Sequence, residues 1–228
     1  MAKIVQGRDA REYYIYIMLS QTPSKFGRVI RKLDGSEYNH ASISFDDKLS
    51  QLYSFGRYRN SNPVHAGMVK EYLERFTLMK ESSVKTSIYE VPVTKEQYLQ
   101  GKKRILEIKH DKEGYLYNLF SVLSYPIFHG FHTYKAYTCA EFVAHMMTVM
   151  GIPVSETEGI HSVTPQQLSD NMGGRLIFRG NLLEYWSERQ AVINDFFDDT
   201  RYRAVAAKSI SVALRLLYRR IRYRNKFA

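Results

Sequence analysis

The segment from Thr138 to Pro153 leaves the chain little choice of local structure. Thr138 and Glu141 form a T-x-x-E box, in which each side chain can accept the other residue's backbone N–H and so start a helix. Phe142, Val143, Met146, Met147 and Met150 follow at helical spacing, and Gly151 with Pro153 ends the run. The expectation is an amphipathic helix buried along its apolar stripe. Its first residue is Cys139, and the chain has no other cysteine.

A single thiol rules out an intramolecular disulfide and a C-x-x-C metal site, and neither a metal nor a cofactor is expected. What remains is a small buried hydrophobe or a reactive group. A thiol in the first turn of a helix feels unpaired backbone N–H groups and the positive end of the macrodipole, both of which favour the thiolate. The same N–H groups point toward where an oxyanion would develop on a carbonyl attacked by that sulfur. One helix start can thus supply a nucleophile and an oxyanion site, and a proton-transfer partner is still required.

Strands and further helices fill the rest of the chain. Tyr13 to Leu19, rich in Tyr and Ile, predicts a buried strand, and Ser24 to Leu33 a short basic helix closed by a turn at Asp34 to Ser36. Ala41 to Phe45 alternates in the period-two pattern of a half-buried strand. Asp46 to Lys48 form a loop before the aromatic run Leu52 to Phe55, which predicts a β-hairpin. Paired about the loop centre, Ser54 falls opposite Ser42 and on the face of His40. Gly56 to Ser83 suggests a long loop, with Val69 to Phe76 a strand or short helix, and Thr86 to Val93 is extended.

Thr94 and Gln97 form a second capping box, in front of a helix expected to run to about His110. Tyr115 to Leu123 shows helical spacing stopped by Pro126. An aromatic loop, Phe128 to Tyr137, leads into the Cys139 helix. Thr164 and Pro165 open a short helix through Leu168, and Arg175 to Phe178 and Leu182 to Trp186 are candidate strands.

Among seven histidines, the base is sought by support and position. His145 lies more than a turn along the Cys139 helix on its polar side, and His65, His110 and His161 fall in polar loops or helix ends. His129 and His132, near Cys139 in sequence, could line a pocket. His40 stands at the mouth of a hairpin, where a sheet gives rigid support.

The order of Y-N-H-A-S-I-S-F-D (Tyr38 to Asp46), L-Y-S-F-G-R (Leu52 to Arg57) and Y-T-C-A-E-F-V (Tyr137 to Val143) resembles the circularly permuted NlpC-like branch of the papain superfamily. Its relatives include YiiX-like bacterial proteins and lecithin:retinol acyltransferase. The Tyr117-Asn118 pair is similar to an aromatic-polar segment that often precedes the cysteine helix there. The resemblance spans about Tyr13 to Ile152. It implies an α+β chain of circularly permuted papain-like fold, with an antiparallel central sheet packed on the helix carrying Cys139. It also implies a nucleophile, Cys139, a base, His40, and a third polar residue on the second hairpin strand that orients the base. Here that third place falls on Ser54, a neutral hydroxyl that stabilises an imidazolium less than a carboxylate would. Asp46 and Asp47, at the hairpin tip, lie too far along the strand to replace it.

The implied function is a thiol hydrolase or acyltransferase that cleaves a peptide, amide or lipid ester through a Cys139 thioester. The alternative is a weak or inactive papain-like module that binds a ligand at anionic membrane surfaces. A length of 228 residues, 44% hydrophobic and 14% aromatic, suits one body of residues 1–200. From Arg201 to residue 228 arginines interleave with Val205, Val212, Leu216, Leu217 and Ile221 as a basic amphipathic helix or tail. With a net charge of +10, it suits an anionic membrane surface or a solvated face packed on the domain. Tyr/Arg clusters raise nucleic acid as a third partner, which no recognised motif supports. With no evident secretory signal and no long apolar run, a cytoplasmic chain is expected, at most peripheral to a membrane.

Overall fold

Tyr13–Ser20 forms the first strand, β1, at the centre of the molecule, as its run of β-branched and aromatic side chains favours. The computed structural model describes residues 13–23, 37–78, 83–128, 130–154, 163–186, 195–198 and 202–223. The basic helix expected over Ser24 to Leu33, the turn after it, His129 and His161 lie outside them.

On one side β1 pairs with β2 (His40–Ser44), which pairs with β3 (Leu52–Arg59), which pairs with β4 (Asn62–Lys70). On the other side come β5 (Lys85–Val93) and β8 (Arg175–Asn181), giving a six-stranded sheet in the order β4-β3-β2-β1-β5-β8. Every pairing in it is antiparallel. A second, parallel pair joins β6 (Leu116–Tyr117) to β7 (Ala136–Tyr137).

Among the described residues the α-helices are α1 (Leu73–Thr77), α2 (Lys95–Lys109), α3 (Leu119–Phe128), α4 (Cys139–Val149), α5 (Pro165–Asn171), α6 (Leu182–Tyr185) and α7 (Tyr202–Arg222). Both expected capping boxes form, Thr94 with Gln97 on α2 and Thr138 with Glu141 on α4. Among the described residues no helix is long and apolar enough to cross a membrane.

Both faces of the sheet are covered. Ile15, Ile17, Leu19, Ala41 and Ile43 pack with Phe142, Val143, Met146 and Met147 of α4 and with Ile105 and Ile108 of α2. Met18, Leu52 and Ile88, on the opposite face, pack with Leu73 and Phe76 of α1, and with Leu182, Trp186 and Phe196. Strand β2 is therefore not half-buried as its alternation suggested: Ser42 and Ser44 have no exposed surface at all.

Three local expectations are corrected. The supposed long loop after Gly56 is a hairpin, β3 to β4, closed at Asn60 and Ser61; Pro63 is tolerated because β4 is the outer strand. The helix expected from Tyr115 begins only at Leu119, because Leu116 and Tyr117 are taken up in β6 and the Asn118 side chain accepts the Ser121 N–H at 3.3 Å. Pro126 then sits inside α3, close to its end, where it removes one donor and leaves the helix standing. Leu182 to Trp186 turns into α6 instead of a strand, since the Asn181 side chain accepts the Leu183 N–H at 3.4 Å.

Hairpin β3–β4 is pressed against the chain that precedes β6. A Cβ added at Gly67 would run into the Tyr58 hydroxyl and lie 2.9 Å from the Tyr115 carbonyl oxygen. The tyrosine tip can move, but the backbone carbonyl has little freedom. Gly67→Ala is expected to destabilise the fold by about 1–3 kcal/mol, as overpacking does, read as a lower urea midpoint with an unchanged slope. An unchanged midpoint would mean that the hairpin and the Tyr115 segment do not meet this closely.

Candidate active site

Cys139 is held at the start of α4 by more than its capping box. The Thr138 N–H donates to Glu141 Oε2 at 2.7 Å, and the Glu141 N–H donates to Thr138 Oγ1 at 3.2 Å. Glu141 Oε1 accepts the Ser121 hydroxyl at 2.8 Å, and Ser121 Oγ accepts the Phe131 N–H at 3.2 Å. Asn118 donates its side-chain amide to the Phe131 carbonyl at 2.9 Å and its backbone N–H to the Tyr137 carbonyl at 3.0 Å. The helix start is thus fastened to α3, to Asn118 after β6 and to the loop between α3 and β7. Burial pushes the Glu141 carboxyl up to about 8, against these donors, which favour its anion.

The first two N–H groups of α4, those of Cys139 and Ala140, have no acceptor within the helix. They flank the thiol, which is 5% exposed.

His40 opens β2, beyond the reach of the β2–β3 ladder, which pairs Ile43 with Tyr53 and Ser44 with Leu52. On its other side His40 pairs with Ser20 of β1. The register, extended one step, sets Ser42 opposite Ser54 as the sequence suggested. At this end of the strand the imidazole comes within hydrogen-bonding reach of the Cys139 thiol. The fold therefore brings Cys139 and His40 together, although 99 positions separate their numbers.

The residue that orients His40 is not Ser54 but Glu71. Its Oε1 lies 3.0 Å from His40 Nε2, and the same oxygen accepts the Ser54 hydroxyl at 2.5 Å. Oε2 accepts Arg75 Nε at 2.5 Å, one helical turn on. Arg75 also donates to the Arg57 carbonyl at 2.6 Å and stacks 4.1 Å from the Phe196 ring. Ser54 thus acts on the carboxylate and not on the base. A carboxylate only accepts, so Glu71 keeps a proton on Nε2 and leaves Nδ1 as the nitrogen free to take a proton from a thiol.

Burial opposes charge on His40, but hydrogen bonds to Cys139 and Glu71 outweigh it and raise its pKa to about 9. Burial likewise opposes the Glu71 anion, and Arg75, His40 and Ser54 overcome it, lowering its pKa to about 2. Phe76 flanks the imidazole, its ring centroid 5.8 Å away.

Tyr117 completes the surroundings of the thiol. It is buried, its hydroxyl reaches Cys139, and burial with the nearby charges of Cys139 and Glu141 holds its pKa above the ordinary phenol value. The remaining described histidines stand elsewhere. His145 is not on a solvated face: it stacks on Tyr137 at 4.8 Å and accepts from Arg104 Nε at 3.0 Å. Burial and Arg104 push its pKa down to about 4, so the ring is neutral. His65 lies in β4 with its ring 4.7 Å from that of Tyr58, and His110 caps the end of α2. His132 offers its carbonyl to Arg220 at 2.9 Å. Asp46 accepts the N–H groups of Ser50 and Gln51 and the Ser50 hydroxyl, and so holds the hairpin loop.

Glu71 was missed because its segment, Val69 to Phe76, reads as a strand or short helix with nothing to pair it with His40. Two signals were available: the Glu71-Arg75 pair at i, i+4, and a strand-length run, Asn62 to Lys70, that ends just before it.

The linkage signs define where this network stabilises the fold. His40 is raised from 6.5 to about 9, so its share is complete below 6.5 and lost as pH rises through 9. Glu71 is lowered from 4.5 to about 2, so its share is complete above 4.5 and lost as pH falls through 2. Both contributions are full between about 4.5 and 6.5. In an NMR titration of His40 the midpoint is expected near 9, falling toward 6.5 in Glu71→Gln, where a neutral amide replaces the anion. A midpoint unmoved by that change would mean that Glu71 does not support the imidazolium.

No family model matches this chain, and comparisons with curated proteins and with solved structures likewise find no match.

Proposed function

We propose that the protein is a thiol hydrolase or acyltransferase of circularly permuted, papain-like type, with Cys139 as nucleophile, His40 as general base and Glu71 as the residue that positions the base. The observation that carries this reading is the chain of contacts from thiol to imidazole to carboxylate, met at the first turn of a helix. The order of a histidine-bearing strand before a cysteine-bearing helix, on an antiparallel sheet, supports the permuted arrangement.

In the reaction the thiol proton passes to His40 Nδ1 before attack, giving the imidazolium that a His40 pKa of about 9 favours, and Cys139 Sγ then bonds as thiolate to the carbonyl carbon of an amide or ester. The carbonyl π electrons move onto oxygen, and the N–H groups of Cys139 and Ala140 stabilise that charge. Collapse of the adduct expels the amine or alcohol, which receives the proton from His40, and leaves a thioester. Water, or an acceptor alcohol or amine, then attacks the thioester with His40 again taking its proton, and Cys139 leaves as the thiolate, which restores the starting pair. Glu71 stays ionised throughout, because Arg75 and Ser54 hold its charge.

Iodoacetamide is expected to alkylate Cys139 at mildly acidic pH at least about tenfold faster in the wild type than in His40→Ala. Incubation with an activated acyl ester should leave an acyl adduct on Cys139, detected by mass spectrometry, that Cys139→Ser does not form. Equal alkylation rates together with no adduct would sink the catalytic reading and favour a ligand-binding role for the same site.

A further inference from the structure

Helix α7 carries two apolar stripes, of which the described residues of the domain cover one. Val212 and Leu216 are buried against Leu116 and Ala136, with Val64 and Phe120 packed beside them. Arg219, on the same side, is buried and donates to the carbonyls of Lys135, Glu113 and Gly114 at 3.0, 3.0 and 2.9 Å. Arg220 donates to the His132 carbonyl at 2.9 Å and lies 3.8 Å from the Phe131 ring. These contacts fix how the helix is rotated about its own axis.

The rotation turns the second stripe outward. Ile210, Leu214, Leu217, Tyr218 and Ile221 recur at helical spacing and are between 49% and 68% exposed. At 100° per residue all five fall within about one third of the helix circumference, opposite Val212 and Leu216. Lys208, Arg215 and Arg222 border the stripe on one side and Arg220 on the other. Over Tyr202–Arg222 there is no acidic residue. The neighbouring α3, whose Phe120 packs under α7, also leaves Leu123 and Ile127 exposed.

We infer that this outward face of α7 is a docking surface for an anionic phospholipid bilayer, with the apolar stripe entering the acyl boundary and the basic borders meeting the headgroups. The pattern is that of an interfacial helix, apolar on one face and flanked by cations. Nucleic acid would engage the basic borders and leave five large apolar side chains without a role. A second copy docking the same face would set two arginine-rich, acid-free helices against each other, which like charge opposes. The inference does not rest on the catalytic reading, and loss of the thiol leaves it untouched.

The test is flotation of the full chain with vesicles of phosphatidylcholine alone or mixed with phosphatidylglycerol. The wild type and Cys139→Ser are expected to bind the anionic vesicles equally, and more weakly as salt is raised. Ile210→Ser/Leu214→Ser/Ile221→Ser keeps every charge and should bind about tenfold or more weakly, with an unchanged melting temperature because none of the three is buried. Lys208→Glu/Arg222→Glu should lose a similar factor on anionic vesicles. Absence of wild-type binding, or binding undiminished in the serine variant, overturns the assignment. So does self-association in sedimentation, abolished by the serine variant, with no uptake by vesicles.

Discussion

The buried carboxylate of Glu71 is the point at which separate parts of the fold are tied together. Its two oxygens hold a strand-borne imidazole, a hydroxyl from the next strand and a guanidinium from α1. Through Arg75 the same tie extends to the β3 backbone at Arg57 and to Phe196. A charge taken from water without partners is strongly unfavourable, and removing one member of a buried pair typically costs about 3–5 kcal/mol. Glu71 escapes that penalty because its partners come from β2, β3 and α1 at once. The requirement runs in both directions: the carboxylate is tolerable only in the assembled fold, and the assembled fold fixes His40 only while the carboxylate is present.

A second tie, built on Glu141, fixes the other half of the site. Its carboxyl belongs to the capping box of α4 and at the same time accepts Ser121 from α3. Position and direction of the helix start are thereby set against β6, whose Tyr117 reaches the thiol. The two networks meet at Cys139 and His40. Each of the two side chains is thus oriented by its own packed surroundings.

How far this was legible in the sequence depends on whether a residue's partner is local. The start of α4 could be read because the partner of Thr138 is three residues away, and the chemistry of a thiol at that place follows from the backbone alone. The β2–β3 hairpin could be read because its loop is short, and its register followed from the loop. The pairing of Glu71 with His40 and Ser54 could not, because those partners sit 31 and 17 residues earlier and the intervening Arg57, Asn60 and Pro63 look like loop residues. Pro63 misled for a physical reason: it forbids a central strand but not an outer one, and which strands lie outside is a property of the whole sheet. The serines of β2 misled likewise, since alternation indicates a half-wet strand only when one face of the sheet is open, and here α1 covers the second.

Helix α7 shows the same limit from the opposite side. Its sequence displays apolar residues and arginines around most of the circumference, and periodicity cannot say which stripe the domain will take. The structure gives Val212 and Leu216 to the body and leaves Ile210, Leu214 and Ile221 facing out. Arg219 decides between the two rotations. Turning the outer stripe inward would withdraw its guanidinium from three backbone carbonyls around Glu113, Gly114 and Lys135. That loss is charge-assisted and threefold, against an exchange of aliphatic side chains of similar size. One buried arginine thus determines which face of the helix remains available to the surroundings.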